Sequence, residues 1–136
     1  MASSPVTLTP LPEDECWRLL ATHEPRLGRV GFRADGGTAI YPMNYAVAGR
    51  CVYLRTDPSS NLAAVAEGQD VAFEVDDVDA DWERGWSVLA QGRLSEVVDA
   101  DELEQRRELR LRAWAPGQRL HLLRLDIARI SGRRIG

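Results

Sequence analysis

The amino-acid sequence predicts a mainly β protein, a small six-stranded antiparallel barrel with flanking helices. Three observations predict it. Short β-branched and aromatic runs recur at 27–33, 38–48, 51–56, 69–78, 85–98 and 119–135. Glycine-rich turns punctuate them, and no strand–helix–strand rhythm persists, which favours an antiparallel barrel over a doubly wound parallel sheet.

Residues 1–10 are polar and interrupted by proline, and read as a mobile arm before a single domain over 11–136. Pro10, Pro12 and the acidic run Glu13, Asp14, Glu15 are helix-start signals, and Cys16, Leu19 and Leu20 follow at helical spacing, predicting a helix over 12–23. LGRVGFR is the first strand, ADGG a hairpin turn, and TAIYPMNYAVA the returning strand. Pro42 cannot donate to a ladder, so that strand lies at an edge, is bulged, or turns toward a ligand there. CVYLRT is a third strand, and the following Asp57, Pro58, Ser59 and Ser60 start a helix to about Glu67, closed by Gly68. Two longer strands follow, 69–78 and 85–98, with Gly92 as a bulge position and an acidic loop between them. Asp99 caps a polar helix to about 112, in which Leu103 and Leu109 offer one buried stripe. WAPG breaks that helix, and 119–135 supplies a final strand or strand pair.

At 136 residues the chain has room for one core, and 44% hydrophobic with 28% charged residues is ordinary for a folded globular protein. A net charge of -4 gives no basic footprint for nucleic acid. No secretory leader or membrane-length apolar run is present, so a cytoplasmic location is expected. Cys16 and Cys51 make no disulfide framework and have no metal-ligand spacing. All seventeen basic side chains are arginine, whose planar fork matches phosphate and carboxylate oxygens.

One segment carries the most chemistry. Arg55, Thr56, Ser59, Ser60 and Asn61 place a charged fork, hydroxyls and a helix start together, which is what a phosphate monoester needs. The same spacing also describes an ordinary strand-to-helix turn in which a serine caps its own helix, with Asp57 adding an anion. Pro42, Met43, Asn44 and Tyr45 form a second candidate, because a flat ring can rest on an interrupted strand and an amide both donates and accepts. By alternation alone, Tyr41, Met43 and Tyr45 make one barrel face and Asn44 the other. The acidic step Asp77, Asp79, Asp81 starts like a calcium loop but has Trp82 where glycine is needed and Val88 where a glutamate is needed. No nucleophile elbow, Walker loop or G-x-G-x-x-G is present.

GRVGF, YPMNYAV, VYLRTDPSSNLAAV, FEVDD, GWSVLAQGR, WAPG and ISGRRI, in this order over nearly the whole chain, resemble the flavin-binding split-barrel proteins related to pyridoxamine 5'-phosphate oxidase. The resemblance implies a Greek-key split barrel, a homodimer with two FMN sites at the subunit interface, and oxidoreductase activity on a small molecule, with NAD(P)H a candidate electron donor. It also implies roles by position. Arg55, Thr56 and Ser60 hold the phosphate; Pro42, Met43, Asn44 and Tyr45 line the ring and ribityl chain; Trp86 and Ser87 reach in from the other subunit. Relatives commonly carry lysine where this chain has Asn61, which leaves Arg55 as the main local cation. The alternatives on the same fold are a flavin, deazaflavin or haem carrier without turnover, with His23 or His121 as the axial candidates, and a structural or regulatory dimer that has lost its cofactor.

Overall fold

The structure is a computed structural model that describes residues 7–34, 36–56, 62, 67–81, 83–109, 111 and 121–136. Its strands are β1 (Leu8–Pro10), β2 (Leu27–Ala34), β3 (Gly37–Asn44), β4 (Ala46–Ala48), β5 (Cys51–Thr56), β6 (Glu67–Val78), β7 (Gly85–Glu96) and β8 (His121–Ile135); α1 (Glu13–Thr22) and α2 (Ala100–Gln105) flank them. The strands form one antiparallel sheet in the order β3-β2-β6-β7-β8-β5-β4, with β1 on β8. The expected antiparallel barrel class is therefore present.

Two differences raise the strand count from six to eight. The segment 38–48 breaks at Tyr45 into β3 and β4, and Leu8–Pro10, expected in a mobile arm, pairs with the end of β8. Because β3 and β4 occupy opposite ends of the strand order yet are joined by Tyr45 alone, the sheet must curl until its edges meet. Pro42 sits on the β3 edge, where its missing N–H costs no ladder bond.

Inward positions of each strand fill the curl. Val30, Phe32, Tyr45, Val52, Leu54, Phe73, Val75, Val88, Ala90, Leu123 and Leu125 form one buried cluster, closed at one end by Cys16, Leu19 and Leu20 of α1. Those three residues share one helix face, as their spacing predicts. The acidic first turn of α1 complements the helix dipole, and Pro25 stops any continuation.

The helix expected to end at Glu67 and Gly68 falls largely on 57–61 and 63–66, outside the described residues. Glu67 instead opens β6, and Gly68, at φ 97°, takes up a register shift between Glu67 and Gln69. The second expected helix is shorter than its pattern. Asp99 caps α2 by accepting from the Glu102 N–H at 2.9 Å, but the helix ends at Gln105 and none of its residues is buried. Leu103 is 41% exposed, so the predicted apolar stripe is absent there, while Leu109 and Leu111 pack on a second cluster of Tyr53, Val97 and Leu122. Polar contacts hold α2 instead: the Tyr53 hydroxyl donates to Glu102 at 2.8 Å, Arg106 Nε donates to that hydroxyl at 3.1 Å, and Arg124 pairs with Glu102.

Gly92 is the bulge its sequence position suggested. The β7–β8 register shifts between Gln91 and Gly92, and a Cβ on Gly92 would stand 1.8 Å from the Asp126 carbonyl oxygen. Gly92→Ala is expected to lower stability by about 1–3 kcal/mol through overpacking. Gly37→Ala, where nothing lies within 4 Å of the added Cβ, is the control with little effect in the same thermal melts.

On the outer face, Arg29 Nη1 lies 3.3 Å from Glu74 and 3.4 Å from Asp76. Partial burial, reinforced by the neighbouring Asp76, pushes the Glu74 carboxyl up to about 7. A carboxyl raised in the folded state stays protonated there while the unfolded chain ionises, so stability contributed at this position falls as pH rises from about 4.3, the ordinary glutamate value, to about 7. Glu74→Gln removes that slope. The melting temperature of the variant relative to the parent should therefore rise between pH 5 and pH 8.

Candidate functional site

The alternation of β5 sorts its residues into two sets. Val52, Leu54 and Thr56 are buried toward the core, and Cys51, Tyr53 and Arg55 face the other side. Arg55 Nε is buried without a hydrogen-bond partner among the described residues. A guanidinium N–H withdrawn from water and left unpaired is costly, and an anionic ligand oxygen is the acceptor that relieves it. Thr56 stands beside it at the end of the strand, opposite His121 of β8. Ser60 and Asn61, the remainder of the expected cradle, lie outside the described residues, as does Asp57.

The second candidate group lies at the seam between β3 and β4. Ala46 pairs with Tyr53, the last registered pair of β4 with β5, and Asn44 and Arg55 each stand two residues beyond it in the chain. Asn44 is half-buried, and its Nδ2 donates to the Arg26 carbonyl at 3.1 Å. The side chains around it differ from the resemblance's assignment. Met43 is 8% exposed and Tyr45 is fully buried, both in the core cluster, with the Tyr45 hydroxyl donating to the Leu20 carbonyl at 2.7 Å. Burial pushes the Tyr45 phenol up to about 12. These two side chains cannot line a flavin, because the two-residue alternation that leaves Pro42 exposed and Asn44 half-exposed turns them inward. Only their backbone is available.

A residue absent from the sequence reading lies here as well. Arg26 lines a cavity of about 730 Å³ with Glu24, Pro25, Asn44, Tyr45, Leu109 and Leu111. Its Nη2 donates to the Ala21 carbonyl at 2.7 Å and lies 3.6 Å from Glu24, while its Nε is buried and unpartnered among the described residues. No periodicity marks Arg26, which sits in the turn between α1 and β2. Only the fold reveals it.

Trp86 and Ser87 are elsewhere. Ser87 pairs with Arg133 of β8, whereas Arg55 pairs with Leu122, eleven residues away along the same strand. At about 3.3 Å per residue that is roughly 36 Å of strand. The Trp86 ring meets His23 edge to face at 5.1 Å, and His23 Nδ1 lies 3.9 Å from Asp77. His121 pairs with Glu96. Ser87 shares a cavity of about 340 Å³ with Glu74, Leu89, Ser131, Gly132 and Arg133. Neither cysteine is set up as a nucleophile. Burial pushes the Cys16 thiol up, and burial with the adjacent Asp126 carboxylate pushes Cys51 to about 11.

The family model described as Pyridoxamine 5'-phosphate oxidase matches residues 12–134. The chain belongs to that family. It is 36% identical over 109 residues to an uncharacterized protein of Mycobacterium tuberculosis, covering 76% of this chain and 70% of that one. Among solved structures, it is similar to the FAD binding protein from Mycobacterium smegmatis, at 35% identity and a TM-score of 0.78 over 93% of this chain and 97% of that one. A protein of Corynebacterium glutamicum proposed to be a pyridoxamine 5'-phosphate oxidase superposes with a TM-score of 0.79 at 30% identity, over 96% of this chain and 98% of that one.

Within this pyridoxamine 5'-phosphate oxidase-like barrel, Asn44 and Arg26 line one cavity at the β3–β4 seam, and Arg55 lies on β5, the strand that pairs with β4. No His, Cys, Asp and Glu group suited to a metal ion occurs among the described residues. No described helix is long and apolar enough to cross a membrane. Tyr45→Phe separates scaffold from ligand contact: it should lower the denaturant midpoint by the equivalent of about 1 kcal/mol, one buried hydrogen bond, and leave ligand affinity at the seam unchanged.

Proposed function

We propose that this chain is a flavin-dependent oxidoreductase that works as a homodimer, with FMN the ligand of the Arg55 cradle. The observation that carries the reading is the buried Nε of Arg55, unpartnered among the described residues, on the strand that pairs with β4 just past the half-buried Asn44. A phosphate at Arg55 satisfies the guanidinium, and Asn44 can meet a polar ring or ribityl edge. Arg26 adds a second N–H that is unpartnered among the described residues, at the β3–β4 seam, which compensates in part for Asn61. Family membership and 35% identity to an FAD binding protein support a flavin, and make FAD the competing nucleotide.

The homodimer rests on the length of β8. Trp86 and Ser87 lie at the far end of that strand from Arg55, so they can reach a flavin only if a second copy supplies them. A bound flavin supplies hydride or electron transfer, which fits a chain whose thiols are held protonated. Its own residues then bind and orient: Arg55 anchors the anion, Asn44 fixes the ring edge, and Leu109 and Leu111 exclude water from the cavity wall.

The purified protein should show flavin absorbance, and chromatography of the released nucleotide should identify FMN rather than FAD. Arg55→Ala should weaken FMN binding by about 1.5–3 kcal/mol, the range for a hydrogen bond to a charged group. An unchanged dissociation constant in that variant overturns the cradle, absence of any flavin binding overturns the cofactor, and a Soret band in its place points to haem. Reduction of the bound flavin by NADPH or NADH in stopped flow distinguishes turnover from storage.

A further inference from the structure

The seam cavity takes part of its wall from a segment that one carboxylate holds in place. No residue of α2 is buried, and of its six Glu102 alone is half-buried. A short helix without an apolar face in the core has little of its own to fix it. Glu102 supplies the attachment. One of its oxygens accepts from the Tyr53 hydroxyl at 2.8 Å, and the other pairs with Arg124, whose Nε donates to Asp126 at 3.1 Å. The Arg124 hydrogen bond holds the Glu102 carboxyl below the usual carboxylate range, so the charged form makes this contact at neutral pH.

Backbone hydrogen bonds carry that attachment onward. The Arg106 N–H donates to the Glu102 carbonyl at 3.0 Å, the Leu109 N–H to the Arg106 carbonyl at 3.1 Å, and the Leu111 N–H to the Leu109 carbonyl at 2.9 Å. Leu109 and Leu111 then serve two surfaces. They pack on the cluster of Tyr53, Val97 and Leu122, and they line the cavity of about 730 Å³ with Arg26 and Asn44. Tyr53 and Arg55 share one face of β5, and Leu122 is the cross-strand partner of Arg55. The two leucines therefore join the β5–β8 pair that carries Arg55 to the cavity that holds Arg26.

We propose that Glu102 is a positioning residue for the flavin cradle: bonded to Tyr53 and Arg124, it latches Leu109 and Leu111 as the wall that keeps water from the site and retains the nucleotide. The proposal rests on the flavin reading of Arg55. A guanidinium screened from water binds an anion more strongly than a hydrated one, so loosening the wall weakens the cradle without touching the arginine.

Amide exchange in the free chain and stopped-flow release of FMN from the loaded chain test it together. Glu102→Ala should speed exchange at the Arg106, Leu109 and Leu111 amides while leaving the core amides of Val88 and Leu123 as they are. The same variant should release FMN about tenfold faster, the scale of one lost hydrogen bond to a charged group. Glu102→Gln keeps an acceptor for Tyr53 but loses the ion pair; it should give a smaller rise in both, and it serves should the alanine variant fail to fold. In an Arg55→Ala background, Glu102→Ala should add little further, because the two changes act on one contact, whereas a defect elsewhere in the structure would add in full. Unchanged exchange, unchanged release or additive effects in a chain that binds FMN overturn the positioning role alone. A parent protein that binds no flavin overturns the flavin reading, and this inference with it.

Discussion

A single covalent constraint organises this molecule: Tyr45 alone separates β3 from β4, the two ends of the strand order. Seven ladder strands cannot lie flat when their edges are one residue apart, so the sheet closes on itself and its inward residues become a core. Tyr45 also packs that closure from inside. Its ring meets Phe73 edge to face at 5.2 Å, and its hydroxyl is bonded to α1 through the Leu20 carbonyl. Both Tyr45 N–H and Asn44 Nδ2 donate to the Arg26 carbonyl at 3.1 Å, which ends the β2–β3 pairing and fixes where the chain crosses the seam. The placement of Asn44 relative to Arg55 is local: the β4–β5 hairpin, turning at Gly49 and Arg50, leaves each of them two residues beyond the Ala46–Tyr53 pair.

The longest strand imposes the opposite effect. β8 runs fifteen residues and pairs with β5 over its first part and with β7 over most of its length, so Arg55 and Ser87 meet it eleven residues apart, at Leu122 and Arg133. The bulge at Gly92 lets β7 and β8 stay paired through a strong local bend without breaking the ladder. Strand length therefore separates Arg55 from Trp86 and Ser87 along β8.

Much of the fold is legible in the sequence because it depends on period-two alternation and turn chemistry. LGRVGFR, CVYLRT and the glycine of QGR declare their strand, burial face and bulge from composition alone. What escapes has a common cause, namely that it is decided by residues distant in sequence. Leu103 looks like a buried helix position, but Tyr53 and Arg124 hold α2 through Glu102, leaving Leu103 in solvent. Gly68 looks like a helix cap, and the pairing of Glu67 with Ser95 makes it a bulge. The motif YPMNY was legible as a ligand-facing stretch only in alternate residues. Pro42 and Asn44 keep that possibility, while Met43 and Tyr45 belong to the core. Arg26 carries no signal because its place is set by where the barrel closes.

Electrostatics sharpen the significance of Arg55. The chain carries 21 acidic and 17 basic residues, so an unpaired arginine does not reflect a shortage of carboxylates. Arg18 and Arg134 share Glu15, Arg29 bridges Glu74 and Asp76, and Arg124 joins Glu102 to Asp126. Exposed arginines need no such partner, because water solvates them at little cost. Arg55 is different: one of its N–H groups is shut away from water with no acceptor among the described residues, at a place where other arginines of the same face have been supplied with carboxylates. A carboxylate placed there would quench the fork and repel a phosphate. The Arg55 Nε–H that lacks an acceptor among the described residues costs stability, and under the proposed function an anionic ligand oxygen is the group that offsets that cost.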